Sequence, residues 1–146
     1  ITQAEGIKAY MTDVQAVIGL GQLRRLPLML ARRRTIQRRY NEAFEGYPWF
    51  NKFKDSFTVQ YYTQRFQNRD KLSEYLAEKG ISTSVHFYPL SETTYWKKAK
   101  KNPLPITDEI WPQILSLPCY NSLKDIEIEY IIHTVKEFYE LEGWNK

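Results

Sequence analysis

Residues 19–40 read GLGQLRRLPLMLARRRTIQRRY, a run with seven arginines and no acidic residue. Three readings compete for it: a tape for a polyanion, a membrane-surface helix, or the solvated side of an ordinary helix. Periodicity favours the last. Met29, Ile36, Tyr40, Phe44 and Tyr47 recur at helical spacing and form one stripe. Arg32, Arg34, Arg38 and Arg39 fall around the other sides, so they make no single basic face. Arg33 falls inside the apolar stripe. There it needs a carboxylate or carbonyl partner, or must snorkel, and an internal salt bridge is the favoured expectation.

The helix begins before this run. In YMTDVQAVIGLGQL, Thr12 or Asp13 is placed to cap the first turn, and Val14, Val17, Ile18 and Gly21 share a face. Gly19 and Gly21 weaken an isolated helix but let another backbone come close. Pro27 interrupts the pattern and predicts a kink or a fresh helix start. The expectation is a long helical arm over residues 1–47, followed by a second unit over residues 48–146.

That second unit alternates strands and helices. SFTVQYYTQRF is rich in β-formers and predicts a strand around Phe57–Thr63. NRDKLSEYLAEKG predicts a helix capped by Asn68 or Asp70, with Leu72, Tyr75 and Leu76 inward and Gly80 just past its end. ISTSVHFYPL predicts a second strand ended by Pro89. ITDEIWPQILSLP predicts a short helix weakened by Pro112. DIEIEYIIHTVKEFYELEG predicts a terminal helix that buries Ile128, Ile131, Ile132, Val135 and Tyr139 and ends at Gly143. The class is α/β, a small sheet layered with amphipathic helices behind a long arm.

Composition bounds what the chain does. Its 146 residues are enough for one ordinary domain, and 42% hydrophobic with 26% charged residues is the globular range. The net charge of +4 is local. Without the seven arginines, 14 basic residues stand against 17 acidic ones, so any polyanion reading rests on one segment. Cys119 is the only cysteine, which excludes an internal disulfide and a cysteine-rich zinc site. The first ten residues, ITQAEGIKAY, lack the pattern of a signal peptide, and no apolar run has the length of a membrane span. A cytoplasmic, soluble protein is expected.

Familiar site chemistry is missing. Gly19-Leu20-Gly21 is no dinucleotide loop, because Arg24 stands at the third glycine position and no strand precedes it. His86 and His133 stand far apart and make no metal cluster with one cysteine. Nothing assembles a catalytic triad around His86. His133 reads as a partly buried helix residue. His86 sits near a strand end beside Phe87 and Tyr88, before a proline turn.

Three stretches together are more specific. GIKAYMTDVQAVIGLGQLRRL (6–26) resembles the motif with which the sugar aminotransferases of the DegT/DnrJ/EryC1/StrS family open their C-terminal region. GISTSVHFYPL (80–90) is similar to that family's strand ending in His, aromatic residues and Pro. ILSLPCYNSLKDIEIEYIIHTVKEF (114–138) resembles its closing Leu-Pro segment and last helix. RRRTIQRRYNEAF and DKLSEYLAEKGI match the helices between. The matches run in family order from about Gly6 to Tyr139.

The resemblance implies the C-terminal portion of the aspartate-aminotransferase fold, fold type I of the pyridoxal 5'-phosphate enzymes. It implies a homodimeric enzyme that moves an amino group, usually from glutamate, onto a keto sugar attached to a nucleotide. The family's cofactor lysine, which forms a Schiff base with pyridoxal 5'-phosphate, lies in a large N-terminal domain that this sequence does not contain. The chain is therefore expected not to hold the cofactor covalently or to catalyse alone. The large domain is its implied partner.

Individual residues carry over by position. Lys8 stands at the Asn/Lys position of the opening motif, whose turn in the family reaches across the dimer. This implies a charge for the cofactor phosphate or the substrate diphosphate. Tyr10, His86 and Tyr88 are the implied substrate contacts. Departures are Ser91, where many members have a second His after Pro-Leu, and Ile7 and Ala9, which replace aromatics. Two other classes are weighed against this one: a stand-alone binding or assembly module without catalysis, and an Arg-rich nucleic-acid binder, which would bind with steep salt dependence.

Overall fold

The computed structural model describes residues 10–51, 60–99 and 102–143. Helix α1 spans Asp13–Phe44, a rod of about 48 Å at about 1.5 Å per residue. Thr12, not Asp13, caps it. The Thr12 hydroxyl accepts from the Gln15 N–H, and the Gln15 side chain accepts from the Thr12 N–H, which satisfies two otherwise orphaned donors. Of the two outcomes expected at Pro27, a kink or a fresh helix start, the fresh start does not occur: α1 continues through it. A proline removes the hydrogen bond to the carbonyl four residues earlier. Leu23 and Pro27 are both exposed, so solvent can serve that carbonyl.

The two halves of α1 differ. From Ile36 to Phe44 its stripe is fully buried, with Ile36, Tyr40 and Phe44 at 0% exposure. Before Leu28 the apolar residues are open. Val14, Val17, Ile18, Leu20 and Leu23 are each more than half exposed, and they spread over more than half of the helix circumference.

Strand β1 (Tyr62–Arg65) pairs antiparallel with β2 (Ile114–Leu117), with Tyr62 opposite Leu117 and Thr63 opposite Ser116. The first strand thus begins later than the sequence predicts. Phe57–Val59 lie outside the described residues, and Gln60 and Tyr61 form a bend. The predicted second strand reduces to one bridge, Ser84 to Ser116, because the chain leaves the sheet edge as His86 turns to stack on Tyr61.

The segment predicted as one short helix is three pieces: α3 (Pro105–Ile110), a 3-10 turn (Trp111–Gln113) and β2. Pro112 has no N–H to extend the α-helical ladder, and the alternating ILSL that follows takes strand geometry.

Helix α2 (Arg69–Glu78) buries Leu72 and Leu76, with Tyr75 half-buried. Neither expected cap is made by a side chain. Asn68 sits at the N-cap in a left-handed conformation, and its amide donates to Glu142 instead. Gly80 follows the helix at φ +77°, as expected for a residue just past a helix end. Helix α4 (Asp125–Leu141) buries the five residues read from its pattern, and Gly143 follows at φ +78°.

The core joins the second half of α1, the sheet, α2 and α4. Aromatic rings fill its end: Trp49 lies within 4.6 Å of Phe66 and 5.2 Å of Tyr139, centroid to centroid. The tyrosines here also use their polar ends. Tyr62 donates to Asn41 Oδ1 at 3.0 Å, and Tyr139 donates to the Gln67 carbonyl at 2.9 Å, so burying them leaves no lone hydroxyl.

Candidate functional site

A cleft of about 380 Å³ opens where α1 crosses the sheet. Arg33, Gln60, Tyr61, His86, Cys119 and Tyr120 line it, with the hydroxyls of Ser82, Ser84 and Ser116. Arg33 and His86, 53 positions apart in the sequence, therefore share one cavity.

The arginine that points into the apolar stripe finds carbonyls, not the expected carboxylate. Arg33 Nη1 donates to the Gln60 carbonyl at 2.6 Å and the Cys119 carbonyl at 2.8 Å. Two turns on, the Tyr40 hydroxyl donates to the Pro118 carbonyl at 2.9 Å, and Arg32 donates to the Leu123 carbonyl. Three side chains of α1 thus hold the loop after β2, which forms one wall of the cleft. Burial pushes the Cys119 thiol above its ordinary value, and Arg33 pulls partly the other way.

Two other arginines of the run act as clamps. Arg32 and Arg39 reach Asp125 Oδ1 at 2.8 and 2.9 Å, and Arg39 reaches Glu129 at 2.7 Å. These contacts fasten α1 to the first turn of α4, where acidic side chains also suit the positive end of the helix. The hydrogen bond from Arg32 holds the Asp125 carboxyl below the usual carboxylate range. Arg38 lies near Glu42. Arg32, Arg33, Arg38 and Arg39 are thus committed to partners within the chain.

His86 is the ordered polar centre of the cleft. Its ring stacks on Tyr61 at 3.6 Å between centroids and 12° between planes. Its Nδ1 lies 2.9 Å from Ser116 Oγ, which lies 2.6 Å from Thr63 Oγ1. Tyr88 turns away to meet Trp111 edge to face. Tyr61, Ser116 and Thr63 were not legible as site residues in the sequence; only the β-register places them beside His86.

Of the site residues expected from sequence, Lys8 lies outside the described residues, as do Ile7 and Ala9. Tyr10 is 79% exposed at the far end of α1, about 35 Å along the helix from Arg33 at about 1.5 Å per residue. Within one chain the structure brings Arg33 and His86 together but not Tyr10. Ser91 Oγ is buried and makes no hydrogen bond among the described residues. His133 is exposed, not partly buried. Its neighbours one turn away are Glu129, Tyr130, Lys136 and Glu137, which mark the outer face of α4.

Among the described residues, no group of three or more His, Cys, Asp or Glu is placed to hold a metal ion, and no helix is long and apolar enough to cross a membrane. Two further clefts flank the first, one beside Tyr130 and Glu127 and one beneath Phe87 and Trp111. No lysine lines any of the three. None of these three clefts offers the lysine that a covalent pyridoxal phosphate site needs.

Comparison with known proteins places this architecture. The chain is 32% identical over 145 residues to MJ1066, an uncharacterized protein of Methanocaldococcus jannaschii, a match covering 90% of this chain and 38% of that one. It is 29% identical over 140 residues to the GDP-perosamine synthase of Escherichia coli O157:H7, covering 92% of this chain and 38% of the relative. A crystal structure of a DegT DnrJ EryC1 StrS aminotransferase from Brucella abortus superposes with a TM-score of 0.75 at 26% identity, over 94% of this chain and 39% of that one. The chain spans about 38% of the length of the curated relatives it matches. The model of the DegT/DnrJ/EryC1/StrS aminotransferase family matches residues 1–136, and the chain belongs to that family.

Proposed function

We propose that the chain is the C-terminal part of a pyridoxal-phosphate-dependent aminotransferase that transfers an amino group, from glutamate, to a nucleotide-linked keto sugar in amino-sugar or polysaccharide biosynthesis. Residues 1–47 are the opening turn and interdomain arm, and residues 48–146 are the small domain. The observation that carries the reading is the first half of α1. Apolar side chains spread over more than half of a helix belong against a partner, yet Val14, Val17, Ile18, Leu20 and Leu23 are open. Nothing among the described residues comes within 4 Å of a Cβ built at Gly19 or Gly21. The close approach those glycines allow is thus left to a partner, and a large cofactor-binding domain of the same enzyme fits it. The share of each relative that the chain covers supports the same division.

In this reading the cofactor is held by the large domain and supplies the electron sink for amino transfer when bound. The chain's own work is to border the substrate. Lys8 carries charge toward a phosphate across a homodimer, while Tyr10, His86 and Tyr88 contact substrate. The cytoplasm, where nucleotide sugars are made, is the proposed compartment.

The test is reconstitution. The chain is produced together with a lysine-bearing large domain of the family, and amino transfer from glutamate to a nucleotide-linked keto sugar is measured. Activity that needs both parts supports the reading. A chain that is a stable monomer and restores no activity with any large domain of the family overturns it in favour of a non-catalytic assembly module.

A further inference from the structure

We propose that His86 presents its Nε2–H to the cleft as a fixed hydrogen-bond donor, with Thr63 and Ser116 as positioning residues that set its tautomer and Tyr61 holding its plane. The cleft then selects a ligand oxygen that accepts, such as a carbonyl, hydroxyl or phosphate oxygen, and disfavours an ammonium.

The arrangement follows from strand register. Ser116 exchanges both backbone hydrogen bonds with Ser84, at 2.8 and 3.3 Å. In an antiparallel strand a residue's N–H and C=O point to the same side, so towards β1 the pair Ser116–Thr63 is a non-hydrogen-bonded one. Side chains approach most closely at such pairs, and the two hydroxyl oxygens meet at 2.6 Å. Ser84 anchors the segment at the sheet edge, the chain turns at His86 two residues on, and Nδ1 reaches the Ser116 hydroxyl at 2.9 Å.

Counting protons favours one direction. Each hydroxyl has one proton to donate. Among the described residues Ser116 Oγ has two polar side-chain contacts, Thr63 Oγ1 and His86 Nδ1, and Thr63 Oγ1 has one. If Thr63 donates to Ser116 and Ser116 donates to Nδ1, every proton has an acceptor. If Nδ1 carried the proton instead, either the Ser116 hydroxyl, on a residue just 5% exposed, would point at nothing, or it would turn to Thr63 and send the Thr63 proton out to solvent, which that half-buried residue reaches. Only the relay from Thr63 to Ser116 to His86 pairs both hydroxyl protons within the described residues, and in it the proton of the neutral ring sits on Nε2. Arg33 adds positive charge to the same cleft, and no carboxylate lines it, which is the setting for an oxygen acceptor.

The tautomer belongs to the chain itself. Only the identity of the ligand rests on the aminotransferase reading, so either part fails without the other. The sequence has two histidines, so ¹⁵N-imidazole labelling of the 146-residue chain gives two spin systems. Spectra are taken at about pH 8.5, where the exposed His133 reports the unconstrained tautomer mixture. His86 is expected wholly as the Nε2–H form, with Nδ1 at the unprotonated limit. Ser116→Ala should move the His86 nitrogens toward the His133 values, and Thr63→Val should move them part of the way, with far-UV spectra confirming folded variants. A protonated Nδ1 in the parent chain overturns the relay, as does a His86 signal unmoved in both variants.

The donor role is read in the complete reconstituted enzyme. His86→Ala should raise KM for the keto substrate roughly tenfold, the worth of about 1.4 kcal/mol, and His86→Gln, which keeps an N–H donor, should recover most of it. Equal KM values for the two variants overturn the donor role and leave the family reading intact.

Discussion

Arg33 Nη1 donates to the carbonyl oxygen of Cys119 at 2.8 Å while also holding the Gln60 carbonyl at 2.6 Å. One charged nitrogen on the arm thus ties the bend before β1 to the loop after β2. Those two segments supply Tyr61 and Tyr120 to the cleft, so the contact both stabilises the fold and shapes the cavity.

Arg33→Met keeps the aliphatic stem and removes both donations. Hydrogen bonds from a charged group contribute about 1.5–3 kcal/mol each at most, and the half-exposed setting allows water to replace part of that. A loss of about 2 kcal/mol is expected, measured as a lower denaturant midpoint with an unchanged slope. Arg33→Lys should fall between, because an ammonium lacks the planar fork that fits two fixed carbonyls.

Asp125 gives the acid limb of stability. Its folded-state pKa lies below the ordinary 3.8, chiefly through the hydrogen bond from Arg32, with Arg39 adding attraction. A depressed carboxyl stabilises the fold above its unfolded value, and that contribution is lost as pH falls through 3.8 toward the folded value. Asp125→Asn should therefore flatten the stability-versus-pH curve below about pH 4 while lowering the plateau above it. A variant with the same acid limb as the parent would show that the Arg32–Asp125–Arg39 cluster is not coupled to folding.

The long helices were legible because period and caps agree in them. α4 shows five apolar positions on one face and a glycine just past its end, and local sequence decides both. The sheet was less legible. β2 hides between Pro112 and Pro118 as four residues, too short for periodicity to separate strand from helix, and its partner choice is a long-range fact. The cleft shares that obscurity. Arg33 declared itself as a charge in an apolar stripe, but its carbonyl partners lie 27 and 86 positions away. His86 stood out by type, whereas Ser116 and Thr63 gain meaning only from register.

The buried tyrosines predict the alkaline limb. Burial pushes the hydroxyls of Tyr40, Tyr62 and Tyr139 far above the ordinary 10.0. The neutral form is favoured in the folded chain, so stability is complete below the unfolded value and declines as pH rises past 10. Tyr40→Phe removes one of these groups and should shallow that decline. It also frees the Pro118 carbonyl from its 2.9 Å partner, at about 1 kcal/mol near neutrality. Unfolding midpoints at pH 7 and across the alkaline range separate the two effects.

The open half of α1 gives opposite outcomes in the chain and in the complete enzyme. Val17 is 69% exposed and Leu23 is 62% exposed, so in the 146-residue chain the pair Val17→Lys and Leu23→Lys removes no packing. Stability should stay within about 0.5 kcal/mol, and self-association should fall, since a large apolar patch is a contact surface. Sedimentation reads this directly. If a large domain covers that face, the same lysines are driven into an apolar interface without carboxylate partners, and an unpaired buried charge is strongly destabilising. Reconstituted activity should then drop with the loss of assembly rather than through KM. Equal activity with and without the lysines would mean that the face stays open in the complete protein, and the arm would need another role.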